Sequence, residues 1–389
     1  MALVSKLPQV GTTIFSVMSQ LAQEQGAVNL SQGFPDFPCD EALAEAMMSA
    51  LRAGHNQYAP MAGVPALCGA ISHKIQQQRG LTVDAETEIT ITAGATQALY
   101  TVIATVLHAG DEALILEPAY DSYEPAIRAQ GARAIRVPLS PPAFAVDWQA
   151  VEHAVTPRTR LIILNNPNNP ACSVFEREDM EALSELVQRH DLLVLSDEVY
   201  EHLVFDGAVH HSVLEYEALR ERSFAVYSFG KTVHTTGWKI GYCVAPPELT
   251  REFRKLHQYL VFSVHTPSQY ALASFLKTSA PWQGLPELFQ RKRDMLSTSL
   301  TRAGFRLLPC RGTYFQLADY SDIRPDLTEM EFARWLIEQY GVASIPVSAF
   351  YGDGRSQHLV RFCFAKREST LRAAQQHLEK LAGCVQKTP

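Results

Sequence analysis

The run L-I-I-L-N-N-P-N-N-P (161–170) sets four apolar residues against a polar loop broken by two prolines, and L-L-V-L-S-D-E-V-Y (192–200) repeats the arrangement after a helical stretch at Glu176–Arg189. Continuous apolar runs, as opposed to alternating ones, are what strands need when helices cover both faces of their sheet. Two such strands joined by a helix make a βαβ unit. The pattern continues outward on both sides, with strands expected at Ile89–Thr92, Ala113–Leu116, Ala134–Val137, Phe224–Ser228 and Ile240–Val244 and helices at Thr96–His108 and Glu248–Tyr259. One large α/β layer structure around a mostly parallel seven-stranded sheet is the expectation.

Beyond a helical stretch at 284–304 the texture changes. L-L-P-C, G-T-Y-F-Q-L-A-D-Y, a helix at 328–339, V-A-S-I-P-V-S-A-F, H-L-V-R-F-C-F-A and a helix at 367–382 read as a smaller α+β region. The expected division is an N-terminal arm that forms part of the small domain (1–45), a large domain (46–285) and a small C-terminal domain (286–389). A chain of 389 residues is long for a single core, at about 150 residues per domain. The first forty residues are too short for a domain and are expected to pack onto the small domain or onto a partner subunit.

Composition narrows the function. The chain is 47% hydrophobic and 19% charged, as globular proteins are, and its 34 Lys and Arg against 41 Asp and Glu leave −7, the wrong sign for holding a phosphate backbone. Nucleic acid is therefore not an expected partner. Cys39, Cys68, Cys172, Cys243, Cys310, Cys363 and Cys384 are scattered and odd in number, with no C-x-x-C pair, which suggests neither a disulfide framework nor a zinc site. The N-terminus, M-A-L-V-S-K-L-P-Q-V-G-T-T-I-F, lacks the apolar core of a signal peptide, so a cytoplasmic protein is expected. Ile89–Gly110 carries no charge but holds threonines, Gln97 and His108, and reads as a buried strand, turn and helix instead of a membrane span.

The residues able to do chemistry sit at the carboxyl ends of the expected strands, where ligands bind in open α/β sheets. After Ile89–Thr92 comes A-G-A-T-Q-A-L (93–99), either a tight turn or a helix start whose free N–H groups cradle a phosphate. N-N-P-N-N-P (165–170) is either a capped turn or a set of amide donors and acceptors. Asp197 and Tyr200 suit a cation and a hydrogen-bonding partner, or a helix cap and a packed ring. In Y-S-F-G-K-T (227–232) the Gly-Lys-Thr triplet invites a P-loop reading, but Ala225 stands where that motif needs glycine. Lys231 is then a surface lysine or a Schiff-base amine with a lowered pKa. Arg361, inside the apolar strand H-L-V-R-F-C-F-A, must meet an anion, whether a protein side chain or a ligand carboxylate. Taken together these are the parts that pyridoxal phosphate needs when it acts on an amino acid.

At this point the chain resembles the class I/II aminotransferases of pyridoxal-phosphate fold type I along nearly its whole length. The likeness rests on N-L-S-Q-G-F-P-D-F-P (29–38), N-Q-Y-A-P-M-A-G-V-P-A-L (56–67), E-P-A-Y-D-S-Y-E-P (117–125), N-N-P-N-N-P (165–170), S-D-E-V-Y-E-H (196–202), S-F-G-K-T-V-H-T-T-G-W-K-I-G-Y (228–242) and I-P-V-S-A-F-Y (345–351), all in the family's order. Within the family it is most similar to the kynurenine/glutamine and bacterial methionine aminotransferases, through G-F-P-D-F, N-Q-Y and R-F-C-F-A-K. The resemblance implies that Lys231 binds the cofactor covalently and then shuttles the substrate proton. It makes Asp197 the partner of the pyridine nitrogen, Asn169 and Tyr200 the partners of the ring oxygen, Tyr120 the stacking ring and Asn165 a neighbour in the same loop. For the phosphate it implies Ala95, Thr96, Ser228, Lys239 and, from the other subunit of a homodimer, Tyr58. The substrate carboxylate would sit on Arg361, with Asn169 and the N–H of Gly33.

Two departures from the family pattern, Ala171-Cys172 after the Asn-Pro and G-A-T in the phosphate turn, keep small residues beside the cofactor. The side-chain pocket implied by the resemblance is Ile14, Phe15, Tyr58, Tyr120 and Phe262, the last across the dimer. It offers no second arginine, which disfavours aspartate and glutamate and favours methionine, phenylalanine, tyrosine, leucine, histidine or glutamine as donor to a 2-oxo acid. A cysteine-S-conjugate or cystathionine β-lyase using the same lysine is the alternative. A cofactor-sensing regulator would need a DNA-binding domain, for which the stretch before Gly33 is too short.

Overall fold

The computed structural model describes residues 3–385. All seven expected strands form one sheet, in the order Ile89–Thr92, Gly241–Val244, Ser223–Ser228, Leu193–Asp197, Thr159–Asn165, Glu112–Glu117, Arg133–Pro138. The last five of these pair in parallel. Gly241–Val244 runs antiparallel to both of its neighbours. Its reversal has a local cause: the link from Ser228 holds only a four-residue helix, Phe229–Thr232, and the 3-10 turn Thr236–Trp238, and a parallel return needs a longer crossover.

Within each strand, successive side chains serve two different cores. Leu114, Leu116, Ile162, Leu164 and Val194 pack on one face with Ile71, Ile75, Leu183 and Val187. Ile115, Leu161, Ile163, Leu195 and Val226 pack on the other with Leu99, Val102, Ile103 and Phe253. Both faces are dry, and this is why the strands read as unbroken apolar runs. Arg133–Pro138 is the exception, an edge strand with exposed Arg133 and Arg136, which discourages pairing with further strands. Ile89–Gly110 resolves into the strand Ile89–Thr92 and the helix Ala95–Val106 as read from the sequence. No described helix is long and apolar enough to cross a membrane.

The C-terminal region builds a second, four-stranded antiparallel sheet in the order Ile345–Pro346, Leu359–Cys363, Phe315–Asp319, Arg306–Leu307. The helices Leu285–Arg302, Glu329–Tyr340 and Glu368–Val385 belong to this half of the chain. The N-terminal segment, whose packing partner the sequence left open, joins it: Val28–Asn29 pairs in parallel with Val342–Ala343, and the helix Ile14–Glu24 lays Met18 and Ala22 on Ala333, Ile337 and Ile345. Leu30 O accepts from Cys363 N at 2.8 Å, so the chain start runs along the strand that carries Arg361.

Candidate active site

Strand register brings the polar residues into line. Asn165 lies opposite Asp197, Asp197 opposite Val226, Ser228 opposite Gly241 and Gly241 opposite Thr92, all at the same edge of the large sheet. Facing that edge is the strand bearing Arg361. Between them is a cavity of about 290 Å³ lined by Phe15, Gly33, Ala95, Thr96, Tyr120, Asn165, Asn169, Asp197, Tyr200, Ser228, Lys231, Lys239 and Arg361. Those residues come from stretches spread over most of the chain, and the fold assembles all of them. Tyr58 and Phe262 are not brought there by their own chain: they touch edge to face at 5.0 Å on the surface, 80% and 61% exposed. Ile14 packs against the N-terminal cluster and does not line the cavity.

One end of the cavity suits an anion. The helix Ala95–Val106 starts there, with Gly94 at φ 79°, and presents unpaired N–H groups with the positive end of its dipole. The turn can lie this low because position 241 has no side chain: a Cβ at Gly241 would stand 2.6 Å from Tyr227 O and 2.9 Å from Ala95 N. Lys239, itself at φ 55°, brings its ammonium over the turn, where a Cβ at Gly94 would meet Nζ at 3.2 Å.

The middle of the cavity holds an acid and an amine. Asp197 is buried; desolvation pushes its carboxyl up to about 6, against the pull of Tyr123, Val199 N–H and Lys231. Tyr123 donates to its Oδ2 at 2.7 Å. Burial likewise lowers the Lys231 amine to about 8, opposed by Cys363 and Asp197 and reinforced by Arg361 and Lys239. Nζ donates to Tyr314 Oη at 2.7 Å and to Gly33 O at 3.1 Å. The group of Gly33 engaged by Lys231 is its carbonyl, a different group from the N–H that the resemblance assigns to the substrate carboxylate.

The asparagine loop divides between the two readings left open for it. Asn165 accepts from Asn169 N at 2.6 Å and donates to Asp197 O at 2.9 Å, Asn168 accepts from Ala171 N at 3.0 Å, and Asn166 accepts from Phe175 N at 3.0 Å. Those three shape the turn. Asn166 also donates out of the loop, to His211 O at 2.9 Å, and Asn169 turns its side-chain oxygen to the cavity, accepting from Arg361 Nη1.

Arg361 is 1% exposed, its guanidinium carbon 3.8 Å from the centroid of Phe315, 5.0 Å from Phe350 and 5.3 Å from Phe15. Nη2 reaches only Ser31 O at 3.4 Å, and Nε has no partner. Among the described residues no carboxylate lies within ion-pair distance, so the protein-partner reading of this arginine falls. A buried guanidinium surrounded by rings, with an unused donor, has the geometry to accept a planar carboxylate.

Sequence reasoning missed Tyr123, Tyr314 and Phe315. Tyr123 lies inside E-P-A-Y-D-S-Y-E-P, where only Tyr120 was singled out; Tyr314 and Phe315 lie in G-T-Y-F, read only as sheet. A buried aromatic carries no mark in sequence that separates core packing from site contact. Behind the site, the remaining acids of S-D-E-V-Y-E-H are structural. Glu201 pairs with buried Lys74 and, at 3.2 Å, with Arg79, and Glu198 accepts from Tyr227 Oη at 2.8 Å.

Comparison with known proteins agrees with this geometry. Residues 25–378 match the family model described as aminotransferase class I and II. The chain is 50% identical over 378 residues to a methionine aminotransferase of Escherichia coli K12, covering 97% of this chain and 98% of that one. It is 34% identical over 395 residues to human kynurenine–oxoglutarate transaminase 1, covering 93% and 94%. A crystal structure of Escherichia coli YbdL, described as having a methionine aminotransferase function, superimposes with a TM-score of 0.95 at 49% identity, covering 98% of this chain and all of that one.

The amine chemistry is open to direct measurement. In protein stripped of cofactor, acylation of Lys231 by a small reagent, followed by mass spectrometry, should rise through a pH of about 8 and not near the ordinary 10.5. Because the folded-state pKa is lowered, this lysine weakens folding at neutral pH, and the penalty is relieved as pH climbs from about 8 toward 10.5. Asp197→Asn, which removes a charge that favours the ammonium, should move the midpoint lower still. A midpoint near 10.5 in the native protein would contradict the desolvated site.

Proposed function

The chain belongs to the class I and II aminotransferases, and we propose that its amino donor is methionine or another apolar or aromatic L-amino acid, with a 2-oxo acid as acceptor. It is a pyridoxal-phosphate-dependent transaminase of fold type I. The observation that carries the donor class is Arg361. It is the cation set among rings on the substrate side of the cavity, and among the described residues Lys231 and Lys239 are the only other cationic side chains lining it. With one guanidinium for the α-carboxylate and none left for a side-chain carboxylate, apolar and aromatic donors fit and acidic ones do not. The relatives compared are named aminotransferases, and none of them is named a lyase.

The residues present fit the cofactor. The Gly94–Thr96 turn with Lys239 suits a phosphate, a buried carboxyl shifted to about 6 suits a cationic ring nitrogen, and a desolvated amine stands between them. When bound, pyridoxal phosphate supplies an electron sink for the pair left when a proton leaves Cα of an amino acid. The protein's own share follows from position. The N–H groups of Ala95 and Thr96, the Ser228 hydroxyl and Lys239 would hold the phosphate; Tyr120 would cover the ring, and Asn169 and Tyr200 would hold its oxygen. Asp197, oriented by Tyr123, would keep a negative charge at the ring nitrogen. Arg361 grips the substrate carboxylate and so fixes the Cα–H bond relative to Lys231, which takes the proton on Nζ and gives it back.

We propose a homodimer in which the partner copy's Tyr58 and Phe262 complete each site. Their exposure on a surface that also holds Tyr259, 88% exposed, and Leu260, 47% exposed, supports this. A cytoplasmic location is proposed on the six free thiols among the described side chains. The division into 1–45, 46–285 and 286–389 is proposed on the separate sheets, the arm forming a two-stranded one with Val342–Ala343 of the C-terminal region.

Three measurements test these readings. Purified holoenzyme given methionine and no oxo acid should lose its yellow absorbance and release one equivalent of the matching oxo acid per site. Pyruvate and ammonia formed from cysteine conjugates without an acceptor, and no turnover of methionine, would instead favour the lyase. Arg361→Ala should lower kcat/KM for amino acids by about 2–5 kcal/mol, mostly through KM, and leave simple amines without a carboxylate unaffected. Mixing inactive Lys231→Ala with weakened Tyr58→Ala subunits should restore part of the activity, whereas strict additivity of the two separate preparations would rule out shared sites.

A further inference from the structure

Tyr314 and Phe315 leave one tight turn, the first to reach Lys231 and the second Arg361. The turn is forced: Thr313 sits at φ 71°, and a Cβ at Gly312 would stand 2.6 Å from Pro167 and 3.0 Å from Leu203 O. Phe315 underlies Arg361 and fills the space where Gly33 would carry a side chain, a Cβ there meeting its ring at 2.8 Å. Tyr314 is fully buried, its ring edge-on to Tyr200 at 5.1 Å and Phe315 at 4.8 Å. Its hydroxyl donates to Gly33 O and accepts from Lys231 Nζ.

Resting on the transaminase reading, we infer that Tyr314 is a positioning residue for Lys231: together with the Gly33 carbonyl it holds both N–H bonds of the neutral amine and so turns the lone pair toward the reacting Cα–H. The argument is one of valence. A neutral amine has two N–H bonds and one lone pair. Tyr314 has a single hydroxyl proton, which Gly33 O takes; Tyr200 is its other hydroxyl neighbour, and with that proton on either one the Tyr314 oxygen is left as an acceptor for Nζ. With one N–H on Tyr314 Oη at 2.7 Å and the other on Gly33 O at 3.1 Å, the tetrahedral nitrogen must aim its lone pair away from both. When the Cα–H bond breaks, its electron pair stays with the substrate side and the proton forms a third N–H bond on Nζ. The two acceptors still hold the resulting ammonium, so the proton returns from the position in which it arrived.

The test is Tyr314→Phe, which keeps the ring and removes the acceptor. Asp197, Cys363, Arg361, Lys239 and Tyr200, the other titratable groups around Lys231, stay in place. In the methionine half-reaction the rate should fall on the order of 10- to 100-fold with little change in KM, as misorientation of a reacting group does. The primary isotope effect from Cα-deuterated methionine should grow as proton transfer becomes the slower step. In protein loaded with pyridoxamine phosphate, where Lys231 is free, its acylation midpoint should move to lower pH, since an acceptor that favours the ammonium is gone. Neither the isotope effect nor the midpoint depends on how much protein folds. If both match wild type, whether the rate is unchanged or falls together with the melting temperature, Tyr314 only packs and the inference fails. A wild-type enzyme with no half-reaction would overturn the transaminase reading itself.

Discussion

Strands running the same way in a sheet must end along the same edge, and nearly everything in this molecule that can do chemistry depends on that. Asn165, Asp197 and Ser228 are each the last residue of a strand, and the pairings Asn165–Asp197 and Ser228–Gly241 set them side by side. The antiparallel strand Gly241–Val244 adds to the same edge from the opposite direction, because it begins where the others end and carries Lys239 just ahead of it. Residues far apart in the chain thus share one site with no loop longer than the fold already requires.

The second organising element is desolvation. Burial raises an acid, Asp197, and lowers an amine, Lys231, so that the two pKa values come within about two units of each other on either side of neutrality. Arg361 pushes the same principle further, a guanidinium taken out of water with rings on several sides and one nitrogen unpartnered. Such an arrangement costs folding free energy and is recovered when a carboxylate arrives. The second sheet and the N-terminal segment supply this half of the site, through Arg361, Tyr314, Phe315 and Gly33. Lys231, on the large-domain side, reaches Tyr314 and Gly33 on the other, which is where the proposed proton carrier has to stand.

Much of this was legible beforehand, and for identifiable reasons. L-I-I-L and L-L-V-L declared two-sided burial, and the strands they predicted appear within a residue or two of the expected limits. Lys231, Asp197 and Arg361 stood out because a charge at the end of, or inside, an apolar strand needs an explanation. The same logic failed for Tyr123, Tyr314 and Phe315, since an aromatic in an apolar neighbourhood needs none. It divided the asparagine loop imperfectly as well: four similar residues in a row gave no hint that Asn165, Asn166 and Asn168 would close the turn while Asn169 alone reached Arg361.

The amino-acid sequence by itself determined the layered α/β architecture, because hydrophobic period is a local property of the chain; the resemblance of its motifs carried the family, and charges at strand ends marked the candidate site residues. Only the tertiary structure decided that Arg361 has no carboxylate in ion-pair reach among the described residues, that Gly33 offers its carbonyl to Lys231, and that Tyr314 contacts both. Those are contacts between residues as much as 281 positions apart, set by how two sheets and an N-terminal segment close on one another. No pattern of neighbours along the chain encodes a distance of that kind.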